Sequence, residues 1–244
     1  TRIGGRIWTS RRWPDLPRDL GAGWIHGPIG NPLSRLADQA GAARRQTSDD
    51  DTLALDLGGN QVDLASVYLD ADKIIAAARA RAEDNDLDIS LADAVTNNMD
   101  WQRRDQKAER LIRHVVNSEL ETEYAASWNR LSAWYFDEDS EFGGGDQIFP
   151  DGFDAITSHL AQGLPVRTGS TVSAIAPAGS GVAVTLADGS RLHADHALVT
   201  VPLGVLKARN IEFTEAFSRA RETAIETVGM GLLNTCCLRF DRLA

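Results

Sequence analysis

Two periodicities divide the chain. From about Ser66 to Ser132, apolar residues recur every three or four positions. Ile74, Ile75, Ala78 and Ala82 form one stripe, and Leu111, Ile112, Val115 and Val116 another. That spacing places each set on one side of a helix, so the region is predicted mostly helical. Ser90-Leu91-Ala92-Asp93 reads as a capping box with Asp in the place of Glu, opening a short helix. From Val166 the period shortens towards two, that of a strand. Thr171 to Ile175 alternates, and Val182–Leu186 and Arg191–His193 flank Asp188-Gly189, a strong hairpin signal. His196 to Val201 is largely apolar and is predicted as a buried strand ended by Pro202. A helix over about Thr214–Thr227 and a strand over Leu232–Phe240 are predicted to follow.

Shorter signals precede these. Asn31 suits a helix N-cap and Pro32 the first helical position; Leu33, Leu36, Ala37 and Ala40 make an apolar face, and Gly41 is a stop. Leu53–Leu57 and Gln61–Leu64 read as a hairpin around Gly58-Gly59-Asn60. Gly143-Gly144-Gly145 marks a boundary, and a helix is predicted from about Phe153 to Gln162, ending at Gly163. Trp101, Trp128, Trp134 and Tyr135 lie in or beside the helical region, as core or interdomain packing rather than a ligand cage. The order implies a mixed α/β (α+β) fold, in which an all-helical insert interrupts a discontinuous domain.

Composition excludes several classes. The hydrophobic fraction of 43% and charged fraction of 25% are ordinary for a globular protein. No apolar run is long enough for a membrane span, and no signal peptide is expected. The net charge of -10 argues against nucleic-acid binding. It serves solubility, and it can also attract a cationic substrate. Much of it is concentrated in Asp49-Asp50-Asp51 and in Asp137-Glu138-Asp139-Ser140-Glu141, both expected in exposed loops. The two cysteines, Cys236 and Cys237, are adjacent in the last predicted strand. They are expected to pack on its two faces, with no disulfide framework and no metal. A reducing, cytoplasmic setting is expected.

The chemistry is concentrated in a few segments. Gly4-Gly5-Arg6 suits a dinucleotide. Glycines let backbone amides approach phosphate oxygens, and an arginine adds a fork of donors with fixed charge. Alone it reads equally as a glycine-rich turn. It gains weight from Asp19-Leu20-Gly21-Ala22-Gly23-Trp24-Ile25-His26-Gly27, from Gly152-Phe153-Asp154-Ala155-Ile156 and from Thr200-Val201-Pro202-Leu203-Gly204-Val205-Leu206-Lys207. With these segments the chain resembles the FAD-dependent, flavin-containing amine oxidases, most closely the polyamine-oxidase-like members. The resemblance covers nearly the whole chain and is strongest at 2–41 and 150–207. Three parts of the family pattern are absent: the N-terminal GxGxxG loop, the acidic residue that holds the adenosine ribose, and the C-terminal part. The chain therefore resembles a fragment of such an enzyme.

The resemblance implies a partial FAD/NAD(P)-binding Rossmann-like domain from 1–47 and 144–227. It implies an incomplete substrate domain from 48–143 and 228–244. It implies FAD as cofactor, with Gly4, Gly5 and Arg6 at its phosphates and the backbone of Gly21, Ala22, Gly23 and Trp24 by the isoalloxazine. Val172 would meet the adenine, and Thr200 and Pro202 would lie near the flavin. His26 would stand near flavin and amine, bonding substrate or helping keep the reacting amine neutral. A loop histidine bonded to backbone is the other reading of His26. Lys207 is expected on the surface, because the family's active-site lysine comes from a later segment. The activity implied is oxidation of a polyamine or other primary or secondary amine to an imine. Hydride passes to FAD, which O2 reoxidises with release of H2O2. This chain alone is expected to be inactive. Two alternatives stay open: a catalytically incompetent fragment or subunit, self-associating or completed by a partner chain, and another flavoprotein of the same superfold, desaturase-like or protoporphyrinogen-oxidase-like.

Overall fold

A computed structural model describes residues 2–48, 53–86, 88–136 and 140–240. Of the acidic runs expected in exposed loops, 49–51 and 137–139 lie outside the described residues, while Ser140 and Glu141 are exposed and outside any helix or strand. The fold is mixed α/β, as the pattern implies, and the chain divides into two compact units. One comprises Arg6–Ile156 and Gly231–Ala244, the other Thr1–Gly5 and Thr157–Met230.

The larger unit opens with two-residue strands. β1 (Thr9–Ser10) pairs antiparallel with β2 (Arg18–Asp19). β3 (Trp24–Ile25) leads into α1 (Pro32–Gln39), where Asn31 Oδ1 accepts from the Leu33 N–H at 3.0 Å and Pro32 sits at the N-terminus. Gly41, at φ 63°, takes the left-handed conformation that ends the segment. β4 (Arg45–Gln46) follows. The expected hairpin at 53–64 is narrow, with one bridge between Leu55 and Gln61. Asp56 holds its turn by accepting from the N–H groups of Gly58 and Asn60.

The helical region contains α2 (Ala65–Asp84), α3 (Leu91–Thr96), α4 (Met99–Gln102) and α5 (Gln106–Val115). α2 buries Ala71, Ile74, Ala78 and Ala82, a stripe that continues the predicted one by a turn. Leu91, Val95, Ile112, Val115, Val116, Trp101 and Trp128 share the core with it. Trp101 and Trp128 are thus packing residues, and the Arg113 guanidinium lies 5.1 Å from each ring. Ser90 caps α3 by accepting from the Asp93 N–H, while its hydroxyl donates to Asp93 Oδ2 at 2.7 Å. Asp93 therefore holds the cap hydroxyl instead of reaching back to the backbone as Glu would. One feature is unexpected: α5 runs directly into a π-helical turn, Val116–Glu121.

β5 (Gln147–Ile148) is the centre of a three-stranded antiparallel sheet, β3-β5-β4. α6 (Asp154–Leu160) starts beyond it, with Gly163 at φ 73° after its end. Ile25, Ala37, Phe149, Phe153 and Ile156 form a second core under this sheet. The strand expected over Leu232–Phe240 is a correction: residues 231–240 form no strand and are largely exposed. No ladder partner lies beside them among the described residues. Cys236 is exposed and Cys237 half-buried, so their expected packing on two strand faces is corrected with it.

The smaller unit is built on β6 (Val172–Ala178), β7 (Gly181–Leu186) and β8 (Arg191–Ala194), with the predicted hairpin turn at Asp188-Gly189. α7 (Leu203–Lys207) and β9 (Glu212–Phe213) were not expected, and β9 adds to β6 in parallel. α8 (Arg219–Thr227) starts later than predicted because the Ser218 hydroxyl caps it, accepting from the Arg221 N–H. The buried strand predicted over His196–Val201 is also corrected. This run pairs with no strand among the described residues, and Leu198 is 91% exposed. A buried parallel strand needs neighbours for its ladder and cover on its faces.

Candidate functional site

The first two motifs meet through a shared register. Thr9 lies opposite Asp19, and the same pairing continues outward: Leu20 N–H donates to Trp8 O at 2.8 Å and Ala22 N–H to Arg6 O at 3.2 Å. Arg6 therefore lies beside Gly21 and Ala22. A Cβ on Gly21 would stand 1.8 Å from the Arg6 carbonyl oxygen, so glycine is required there by the chain's own backbone. The Arg6 side chain is exposed and bonds to none of the described residues. Gly21 and Ala22 are exposed too. The result is an available cation next to a segment with almost no side chain.

A polar network ties the opening loop to the start of α6. Asp19 accepts from the Thr9 hydroxyl and, through both oxygens, from the Phe153 N–H at 3.1 Å. Burial pushes the Asp19 carboxyl above its ordinary value, against those hydrogen bonds. Arg11 grips Asp154 with both Nη atoms, at 2.6 and 3.0 Å. That pairing holds the Asp154 carboxyl below its ordinary value.

His26 is positioned by the three-stranded sheet. Trp24 faces Ile148 and Ile25 faces Gln147, so one step further His26 faces Asp146. Side chains alternate along a strand. Ile25 accordingly enters the core with no exposed surface, while Trp24 and His26 share the other face with ring planes 12° apart. His26 Nδ1 lies 2.7 Å from Asp146 Oδ2, and Asp146 Oδ1 accepts from the Gly27 N–H at 3.1 Å. The His26 carbonyl accepts from Asn31 Nδ2, the N-cap of α1. The His26 ring thus contacts a carboxylate, and no described backbone group bonds to it.

His26 and Asp146 line a cavity of about 770 Å³. Glu119, Glu123, Glu141 and Tyr124 line it as well, and no lysine or arginine does among the described residues. The π-helical turn carries Glu119, whose Oε1 accepts from the Tyr68 hydroxyl at 3.2 Å. A π turn shifts the residues after it relative to an α-helix, and such turns recur at functional sites. Sequence reasoning missed all these acids. Glu141 was assigned to a solvent loop, and nothing local marks Asp146, 120 residues from His26.

Gly23 stays in the larger unit, where an added Cβ would stand 3.0 Å from Asp19 Cβ, and the other expected site residues belong to the smaller unit. Gly4 and Gly5 have φ of 94° and 55°. Val172 opens β6 opposite Leu186, with a register irregularity before Ala174. Thr200 is exposed, and Pro202 precedes α7 at φ -58°. Lys207 is exposed, its Nζ donating to the Glu226 carbonyl at 2.8 Å. No cluster able to hold a metal occurs among the described residues, and none of their helices is long and apolar enough to cross a membrane.

An exposed arginine beside bare backbone, with a polar cavity beside the three-stranded sheet, suits an enzyme that holds a nucleotide cofactor by a small polar substrate. Comparison with known proteins makes the class definite: the flavin containing amine oxidoreductase family matches residues 1–244, and the chain belongs to it. It is 30% identical to polyamine oxidase 2 of Arabidopsis thaliana over 99% of its own length and 52% of the relative. It is 30% identical to polyamine oxidase 4 of Oryza sativa subsp. japonica, over 98% and 52%. It is 32% identical to lysine-specific histone demethylase 1 homolog 1 of Arabidopsis thaliana, over 98% and 30%. The chain thus spans about half the length of the polyamine oxidases it matches. FAD is the cofactor the family implies. The available Arg6 guanidinium and the open Gly21–Ala22 backbone fit a phosphate-bearing cofactor.

Proposed function

We propose that the protein is an FAD-dependent oxidase of a polyamine or another primary or secondary amine. The observation that carries this reading is the cavity at His26, walled by Asp146, Glu119, Glu123 and Glu141 with no lysine or arginine among the described lining residues. An amine in water is a cation, and clustered carboxylates raise its local concentration. Only a neutral amine can release hydride from its α-carbon, so a proton acceptor beside the bound amine serves the reaction. His26 is that acceptor. Bound FAD would supply the two-electron oxidising power that produces an imine, with O2 as final acceptor and H2O2 as product.

Gly4, Gly5 and Arg6 are assigned to the cofactor phosphates. Gly21, Ala22, Gly23 and Trp24 are assigned to the flavin side, Val172 to the adenine, and Thr200 and Pro202 to the flavin's vicinity. On this reading 1–47 with 144–227 serves the cofactor and 48–143 with 228–244 the substrate.

The test is peroxide release by the FAD-loaded full-length protein that contains this chain, across amines of increasing charge, with alcohols of matched length as controls. Amines are expected to turn over and alcohols not. Glu119→Gln and Glu123→Gln should each raise KM for a polycationic amine about two- to fivefold, the value of one exposed charge pair. Flavin retained without peroxide from any amine would sink the reading and favour a non-catalytic module. Arg6→Ala should lower flavin retention after gel filtration while leaving the fold intact, since the side chain is exposed. Unchanged occupancy would refute its assignment.

A further inference from the structure

Asp146 occupies an unusual place. It is the residue just before β5, the middle strand of its sheet, so it is flanked on both sides. Its backbone carbonyl accepts from the Thr47 N–H at 2.8 Å on the β4 side. Its carboxylate turns to the β3 side, one oxygen on His26 Nδ1 at 2.7 Å and the other on the Gly27 N–H at 3.1 Å. A carboxylate only accepts, so the proton on this short contact belongs to Nδ1. His26 Nε2 bonds to none of the described residues, and His26 lines the cavity. The Trp24 ring lies alongside the imidazole with its plane 12° away, and Asn31 fixes the His26 backbone, so the Asp146 contact sets the ring's orientation.

We propose that Asp146 is the positioning residue of His26: it fixes the imidazole as the Nδ1–H tautomer and leaves Nε2 as the proton acceptor beside the bound amine. This rests on the reading of His26 as a substrate-side group. The proton moves from the substrate ammonium nitrogen to Nε2, giving an imidazolium and a neutral amine, and Asp146 stays ionised opposite the new charge. The second ring nitrogen decides which atom of a histidine does chemistry, and a bonded carboxylate is the common way of choosing it.

The test has two arms. In the purified chain labelled with ¹⁵N at histidine, long-range ¹H–¹⁵N correlation should show neutral His26 protonated at Nδ1. In Asp146→Ala the signal should move to the Nε2–H form that free imidazole side chains favour. A wild-type Nε2–H spectrum overturns the proposal even if the variant fails to fold, and so does a tautomer unchanged in Asp146→Ala. In the FAD-loaded full-length protein that contains this chain, Asp146→Ala should cut kcat on the order of tenfold or more, as loss of a correctly held base does. The double variant with His26→Ala should be no slower than His26→Ala alone. Losses that multiply would mean that Asp146 acts by some other route. Wild-type turnover in His26→Ala would remove His26 from the reaction and overturn the functional reading itself. A slow His26→Ala with the wrong tautomer overturns only the role of Asp146.

Discussion

Gly27 shows how a single residue holds this site. It has φ 60°, and a Cβ there would stand 1.9 Å from the carbonyl oxygen of Phe142. Gly27→Ala therefore incurs backbone strain and a clash with backbone that cannot rotate away. It should lower unfolding free energy by about 2 kcal/mol or more. Urea titration followed by tryptophan fluorescence would measure this, and an unchanged midpoint would show that the loop at 142 yields easily. The glycine itself was legible as part of a motif; its partner was not, because nothing local links positions 27 and 142. The same asymmetry holds at His26, whose neighbours in sequence advertise it while Asp146 is an unremarkable acid after three glycines. Arg6 and Gly21 were expected to face a ligand. Gly21 is also required by the carbonyl of Arg6, a cause invisible without the register.

Among elements, long ones were legible and short ones were not. α2 and the β6–β7–β8 meander carry enough residues to display a period. Every strand of the first two sheets is two residues long, which displays none. The run at 196–201 reads as a strand from its own residues, yet a strand exists only with a neighbour. The junction between β1, β2 and α6 gives a pH-dependent prediction. Asp154 is held below its ordinary value mainly by the hydrogen bond from Arg11, so the folded state favours the ionised form. Its contribution is present above the unfolded carboxyl's pKa and is lost as pH falls through the lower folded value. Arg11→Ala should thus be less stable than wild type at neutral pH. The difference should shrink through the acid carboxylate range and vanish below it, as read by urea midpoints at successive pH values. Asp19 works in the opposite sense. Burial raises its pKa, so its protonation favours the folded state as pH falls. A gap between wild type and Arg11→Ala that did not narrow in acid would mean that the Arg11–Asp154 pair is not its source.

At the scale of the molecule, the two units differ in how much they bury. The larger has two clusters of buried apolar side chains. In the smaller, among the described residues, only Leu186 and Ile225 are buried. Regions with few buried contacts open first. Limited proteolysis of the chain should therefore cut first near 195–202, before any site within α2 or α5, with fragments assigned by mass spectrometry. Initial cleavage inside the helical region would show that the smaller unit is protected in a way its burial does not explain. The mixed α/β class and the helical region could be read from the order of periods. Where the units divide could not, because it depends on which distant segments pack.

The three-stranded sheet also separates two kinds of inheritance. Thr47 and Asp146 are hydrogen-bonded neighbours, so the chain leaves for the helical region and returns at almost the same point. Closing a longer or shorter excursion between those two residues changes the entropy only logarithmically. The excursion can therefore be lengthened, trimmed or exchanged while His26, Asp146 and Gly27 stay in place. Yet it is the excursion that contributes Glu119, Glu123 and Tyr124 to the cavity wall. Under the proposed function, descent with change in that stretch would alter which amine is admitted and leave the proposed proton acceptor as it was.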